Sequence, residues 1–123
     1  MWGILKKKQN YINTRIQLID TPGLLDSPIS EKNEIEKQAI AALSHLADLI
    51  IYIFDLSETC GYLIEDQKKL LIMIENLFDE SKIIPIENKA DIFKSKSKHL
   101  KISNKTGEGI ENLKKEILEF FNF

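Results

Sequence analysis

The run Leu49-Ile50-Ile51-Tyr52-Ile53-Phe54 leaves the backbone few choices. Apolar side chains occur without a break, and most are β-branched or aromatic. That is the pattern of a strand covered on both faces rather than one with a side to water. Such a strand needs helices above and below it, and the flanking sequence supplies them. Downstream, Leu70, Leu71, Ile74, Leu77 and Phe78 recur at helical spacing across residues 65–78. Upstream, Ile35, Ala39, Ala42, Leu43 and Leu46 predict a buried stripe ending near Ala47, with Ser30 as N-cap and Glu31 and Glu34 in a favourable first turn. His45 sits beside that stripe, and no second metal-type ligand lies at a ligating spacing, so it reads as structural.

Shorter strands follow the same alternation. Residues 15–20 form one, and Trp2-Gly3-Ile4-Leu5 forms another, antiparallel to it across a turn at 8–13. Lys6-Lys7-Lys8 read as the solvated tip of that hairpin rather than as an RNA contact. Ile83-Ile84-Pro85-Ile86 and residues 99–102 are further strands, and a last helix from Ile110 to about Phe121 buries Ile110, Leu113, Ile117 and one of the two phenylalanines. Alternating strands and helices predict an α/β fold: a three-layer, mostly parallel sheet in a single domain over 1–123.

A net charge of -2 gives the chain no overall pull toward nucleic acid or membrane. Cys60 is the one cysteine, which excludes an internal disulfide and predicts a reducing, cytoplasmic setting. No apolar run approaches the ~18 residues of a membrane span.

Three loops at the C-terminal ends of predicted strands carry chemistry, and that edge is where open α/β sheets bind ligands. The first is Asp20-Thr21-Pro22-Gly23. Its carboxylate suits the waters around Mg²⁺, and the Gly23 amide can approach a terminal phosphate because no side chain intervenes. The second is Asn88-Lys89-Ala90-Asp91. Asp91 can accept from both N1–H and the 2-amino group of guanine; adenine lacks that donor pair and would leave the carboxylate unsatisfied. Lys89 would lay its stem over the base or ribose, and Asn88 would brace the neighbouring loops. The third is Ser103-Asn104-Lys105-Thr106-Gly107-Glu108-Gly109, whose backbone amides would face guanine O6 while Ser103 steadies Asp91. Asn104 stands where alanine is usual in such loops. Cys60 has no neighbour in sequence that would activate its thiol, so no catalytic role is expected of it.

With these motifs in this order, the chain resembles the translation-factor-class GTPases and, within them, the Obg-like group. Leu24-Leu25-Asp26-Ser27-Pro28-Ile29-Ser30-Glu31, residues 33–40, and Ser57-Glu58-Thr59-Cys60-Gly61-Tyr62 are similar to the nucleolar GTP-binding (Nog) family. The resemblance implies a sheet of the P-loop GTPase type, GTP or GDP with Mg²⁺ as cofactors, and hydrolysis of GTP in the complete form. It also implies a role in large ribosomal subunit assembly, with pre-ribosomal RNA or protein as partner. Asp20, Thr21, Pro22 and Gly23 would serve the phosphate and metal side. Asn88, Lys89, Asp91, Ser103, Asn104 and Lys105 would serve the base, and no catalytic residue is assigned. Leu24 takes the position where Ras-like enzymes place a water-orienting Gln. The alternative is a non-enzymatic module that uses the same fold to dock on a protein or RNA.

The sequence holds no G-x-x-x-x-G-K-[ST] loop. It reads as lacking that family's first strand, phosphate loop and first helix, whether as a truncated product or with an upstream partner segment. Loss of three charge-assisted hydrogen bonds at ~1.5–3 kcal/mol each removes roughly three to six decades of affinity. The chain alone is therefore expected to bind GTP weakly or not at all. The strands ending at Asp20 and before Asp55 would have unpaired inner edges or be forced together. Pro85 within a strand, Glu87 before the base-reading turn, and a short basic 92–98 segment are expected to weaken the site.

Overall fold

The computed structural model describes residues 2–9, 14–20 and 33–122. Its elements run β1 (Trp2–Gln9), β2 (Thr14–Asp20), α1 (Glu34–Leu46), β3 (Leu49–Phe54), α2 (Ile64–Leu77), β4 (Lys82–Glu87), β5 (Leu100–Lys101) and α3 (Ile110–Phe120). The strands form a five-stranded sheet in the order β2-β1-β3-β4-β5. The fold is α/β with a mixed sheet: β1 is antiparallel to both its neighbours, and β5 is parallel to β4. By internal contacts the chain divides into two compact units, one from residues 1–52 and 68–84, the other from 53–67 and 85–123.

In the first unit, β1 pairs with β2 from Gly3 opposite Asp20 to Gln9 opposite Thr14. Lys6, Lys7 and Lys8 therefore lie within the strand and not at a hairpin tip. On its other edge β1 pairs with β3, from Trp2 opposite Tyr52 to Leu5 opposite Leu49. The strand ending at Asp20 and the strand ending before Asp55 are neither open-edged toward each other nor joined, because β1 lies between them and satisfies both ladders. Leu5, Leu49, Ile50, Ile51 and Tyr52 are buried there, as the unbroken apolar run requires. Ile74 and Phe78 bring the inner face of α2 into the same core.

The stripe expected on α1 is displaced. Among the described side chains of α1, Ile40 is buried and Ala39 and Leu43 of the expected stripe are half-buried, while Ile35, Ala42, Leu46 and His45 are exposed. Alanine-rich helices carry weak periodicity, so one large residue decides which face turns inward. Ser30, the expected N-cap, lies outside the described residues.

In the second unit, Phe54, Ile86, Ala90, Ile102 and Phe121 form the core. Of Phe120 and Phe121 the latter is buried, set edge-on to Phe120 at 4.9 Å. Ile110, Leu113 and Ile117 are half-buried. α2 opens with Glu65 and Asp66 in its first turn, and the Glu58 carboxylate accepts from the Ile64 amide at 3.2 Å, both suited to a helix N-terminus. Pro85 is accommodated by parity. The Lys82 and Asn88 amides both donate toward the β3 side, so the missing Pro85 donor falls on the opposite edge, where β5 pairs only from Ile86 onward.

Candidate functional site

β4 runs directly into the N-K-A-D turn, which backbone bonds fix on both sides. The Asn88 amide donates to the Phe54 carbonyl at 2.9 Å. The Ile102 amide donates to the Glu87 carbonyl at 2.8 Å, and the Ala90 amide returns to the Ile102 carbonyl at 2.9 Å. Ala90 is buried in that stitch, which explains a small residue there. Lys89 has a φ of 60°, a left-handed conformation that tightens the turn and leaves Asp91 exposed beyond it.

The loop after β5 meets this turn from the other side. Ser103 is fully buried; its hydroxyl donates to Asp91 Oδ1 at 2.7 Å and accepts from the Thr106 amide at 3.2 Å. The Asn104 amide donates to the Asn88 side-chain oxygen at 3.3 Å. Ser103 and Gly107 close the loop on themselves at 2.8 Å, and Ser103 and Glu108 do so at 2.9 Å. The loop then passes tight against β5 at Gly109, whose φ is 74°. A Cβ there would overlap the Lys101 carbonyl oxygen and lie 3.2 Å from Ile102 Cα. The Ser103 hydroxyl holds the Asp91 carboxyl below the usual carboxylate range against a smaller opposing effect of burial, and the nearby Lys105 and Lys89 charges add to it. Asn88, Asp91, Ser103 and Asn104 are thus brought into one bonded constellation.

Lys89 carries a further connection that its motif does not spell out. Its ammonium pairs with Asp55 Oδ2 at 2.8 Å and also touches the Thr59 hydroxyl. Asp55, just beyond β3, is buried and accepts from the Ser57 hydroxyl and amide, the Thr59 hydroxyl and the Cys60 amide. Burial alone would raise its pKa. Lys89, Ser57, Thr59 and Cys60 together outweigh that and hold the carboxyl well below the usual range. Gln67, buried on α2, mimics a neighbouring strand: its side-chain oxygen accepts from the Asp55 amide at 2.8 Å and its nitrogen donates to the Asp55 carbonyl at 2.9 Å. Asp55 and Gln67 escape a motif reading. The available signal is a strand-ending Asp followed by Ser and Thr at two and four positions, the spacing at which hydroxyls fold back onto a carboxylate.

Glu87 is an anchor and not a defect. It is buried, and it binds the Ser95 hydroxyl at 2.7 Å, the Ser97 hydroxyl, His99 Nδ1 at 3.2 Å and Lys101 Nζ at 3.8 Å. Burial opposes its ionisation, yet the two serines, Lys101 and His99 pull its pKa below the ordinary value. His99 also stacks on Phe54 with ring centres 5.6 Å apart. The short basic segment is thereby tied down as a loop, with Lys94 paired to Glu108 and Lys96 and Lys98 exposed.

On the phosphate side, Asp20 ends β2 and is exposed. Thr21, Pro22 and Gly23 lie outside the described residues. Among the described residues, no group of three or more His, Cys, Asp or Glu is arranged to hold a metal ion. A Mg²⁺ donor set is not assembled from the described residues, and no chemical step is assigned through one.

The family model described as nucleolar GTP-binding protein 1 (NOG1) matches residues 34–91. An uncharacterised protein of Methanocaldococcus jannaschii is 54% identical over 77 residues, covering 63% of this chain and 22% of that protein. The nucleolar GTP-binding protein 1 of Drosophila melanogaster is 48% identical over 83 residues, covering 68% of this chain and 13% of that protein. A crystal structure of a Plasmodium falciparum protein described as nucleolar GTP-binding protein 1 superposes with a TM-score of 0.76 at 31% identity, covering 96% of this chain and 69% of that one. The chain thus spans 13–22% of the length of these curated relatives. The cytoplasmic location expected from the lone cysteine is overturned, since the eukaryotic relatives are named nucleolar. The motif order, the fold and these likenesses agree: the chain belongs to the nucleolar GTP-binding protein 1 family.

Proposed function

We propose that this chain carries the guanine-reading side of a GTP-binding domain. Asp91 accepts from N1–H and the 2-amino group, Ser103 orients it, and the Lys105 amide faces O6, while the Asn104 amide is taken up by Asn88. Asn88 locks the two loops together, and Lys89 lies along the base or ribose. The observation that carries this reading is the Ser103–Asp91 bond at 2.7 Å beside the Asn104–Asn88 link. A carboxylate held on one oxygen, at a strand's C-terminal end, is prepared to accept a paired donor edge.

Asp20, Thr21, Pro22 and Gly23 are assigned to the terminal phosphate, with Asp20 toward Mg²⁺ through water, on motif alone. In the complete form the activity is GTP hydrolysis, and its setting is assembly of the large ribosomal subunit with pre-ribosomal RNA or protein as partner. The nucleolar names of the relatives support that setting. A docking role without catalysis is the second reading; Leu18 on β2 and Ile35 on α1, 72% and 78% exposed, favour it.

Calorimetric titration with GDP, GTP, ADP and ATP in Mg²⁺ tests the proposal. Base recognition without a phosphate cradle predicts weak binding of GDP and GTP alike, with neither adenine nucleotide bound. Equal binding of guanine and adenine nucleotides would overturn it.

A further inference from the structure

Resting on that base-site reading, we infer that Asp55 is a positioning residue for guanine recognition, acting through Lys89 rather than on the nucleotide itself. A lysine at the rim of a nucleotide site has two uses. Its ammonium can seek phosphate, or its methylene stem can form an apolar wall against a base or sugar. The second use requires the ammonium to be held elsewhere, because a free lysine side chain samples many rotamers. Here it is held: Asp55 binds Nζ at 2.8 Å and the Thr59 hydroxyl closes on the same atom. The stem is thereby stretched from the left-handed Lys89 backbone toward the 57–60 loop. Its side chain remains 33% exposed while that of Asp55 is only 10% exposed.

Asp55 is itself over-determined. Ser57, Thr59 and Cys60 fill its remaining acceptor positions, and Gln67 fixes its backbone in both directions. A carboxylate built in this way cannot turn outward to meet a ligand. Among the described residues its charged partner is the lysine of the base-reading turn, which it also neutralises. Guanine affinity is therefore coupled to Asp55, whereas the choice of guanine over adenine stays with Asp91.

The test is a double-mutant cycle on the full chain, with GDP as probe and binding followed by amide NMR shifts, which also report folding. Asp55→Asn keeps the shape but turns an amide donor or a neutral oxygen toward Nζ; Lys89→Met keeps a stem without the ammonium. We expect D55N to weaken GDP binding about tenfold in the wild-type background and by less than about twofold in the K89M background. Guanine preference should persist throughout. Thr59→Val, which removes a single exposed hydroxyl from the latch, should show the same dependence on Lys89 at smaller size and carries the test if D55N does not fold. An equal loss in both backgrounds would mean that Asp55 only supports the fold, and would overturn the inference while leaving the base site standing. Equal binding of GDP and ADP by the wild-type chain would overturn both.

Discussion

Lys89 and Asp55 lie 34 positions apart in sequence, yet an ion pair of 2.8 Å joins them. It fastens the turn after β4 to the loop after β3 within one compact unit. Loss of the lysine leaves a buried carboxylate without its cation, so Lys89→Ala should destabilise the chain by about 1–3 kcal/mol. Adding Asp55→Asn should recover part of that loss, because the stranded charge is gone. Urea melts of the single and double variants check both statements.

Acid should weaken the fold through two named carboxylates. Asp55 and Glu87 both have folded-state pKa values below their unfolded ones, so their contribution is complete above the ordinary carboxylate range. It is lost as pH falls from about 4 toward their depressed folded values. Thermal melts from pH 7 down to pH 3 should show the decline, and Glu87→Gln should have a lower but flatter profile. An unchanged slope in that variant would mean Glu87 is not one of the groups responsible.

Asp91→Asn changes which base edge the site can meet. An amide offers one acceptor and one donor, so the guanine 2-amino group faces a donor while a 2-oxo group would be satisfied. GDP binding should fall about 100-fold and xanthosine diphosphate binding should appear. Competition between the two nucleotides on wild type and variant reads this directly.

Gly109 and Gly107 both have positive φ but meet different surroundings. Near Gly107 a Cβ finds open space, whereas at Gly109 it would collide with the Lys101 carbonyl. Gly107→Ala should cost about 1 kcal/mol from backbone conformation alone. Gly109→Ala should cost clearly more and shift the Ser103 and Asp91 resonances, because the loop has to move off β5.

The elements that periodicity and motifs specify were legible from the residues. The Leu49–Phe54 run is the buried strand β3, the stripe on α2 turns Ile74 and Phe78 inward, and Ser103 does reach Asp91. Each rests on local pattern. What escaped depends on pairing at a distance. Nothing in Lys6-Lys7-Lys8 marks them as strand interior, since that follows from their pairing with Gln17, Ile16 and Arg15 of β2. Glu87 looks like a misplaced charge until Ser95, Ser97, His99 and Lys101 fold around it. Asp55 looks like a strand end until Lys89 arrives. Charged residues in a sequence do not announce whether tertiary structure will bury and pair them.

Guanosine added to the isotopically labelled chain, with amide shifts followed residue by residue, shows where on the molecule the base binds. Recognition by the two joined loops predicts saturable shifts concentrated in residues 88–91 and 103–107, with adenosine producing none. Shifts centred elsewhere, or the same response to both nucleosides, would contradict guanine reading by Asp91 and its supporting loop.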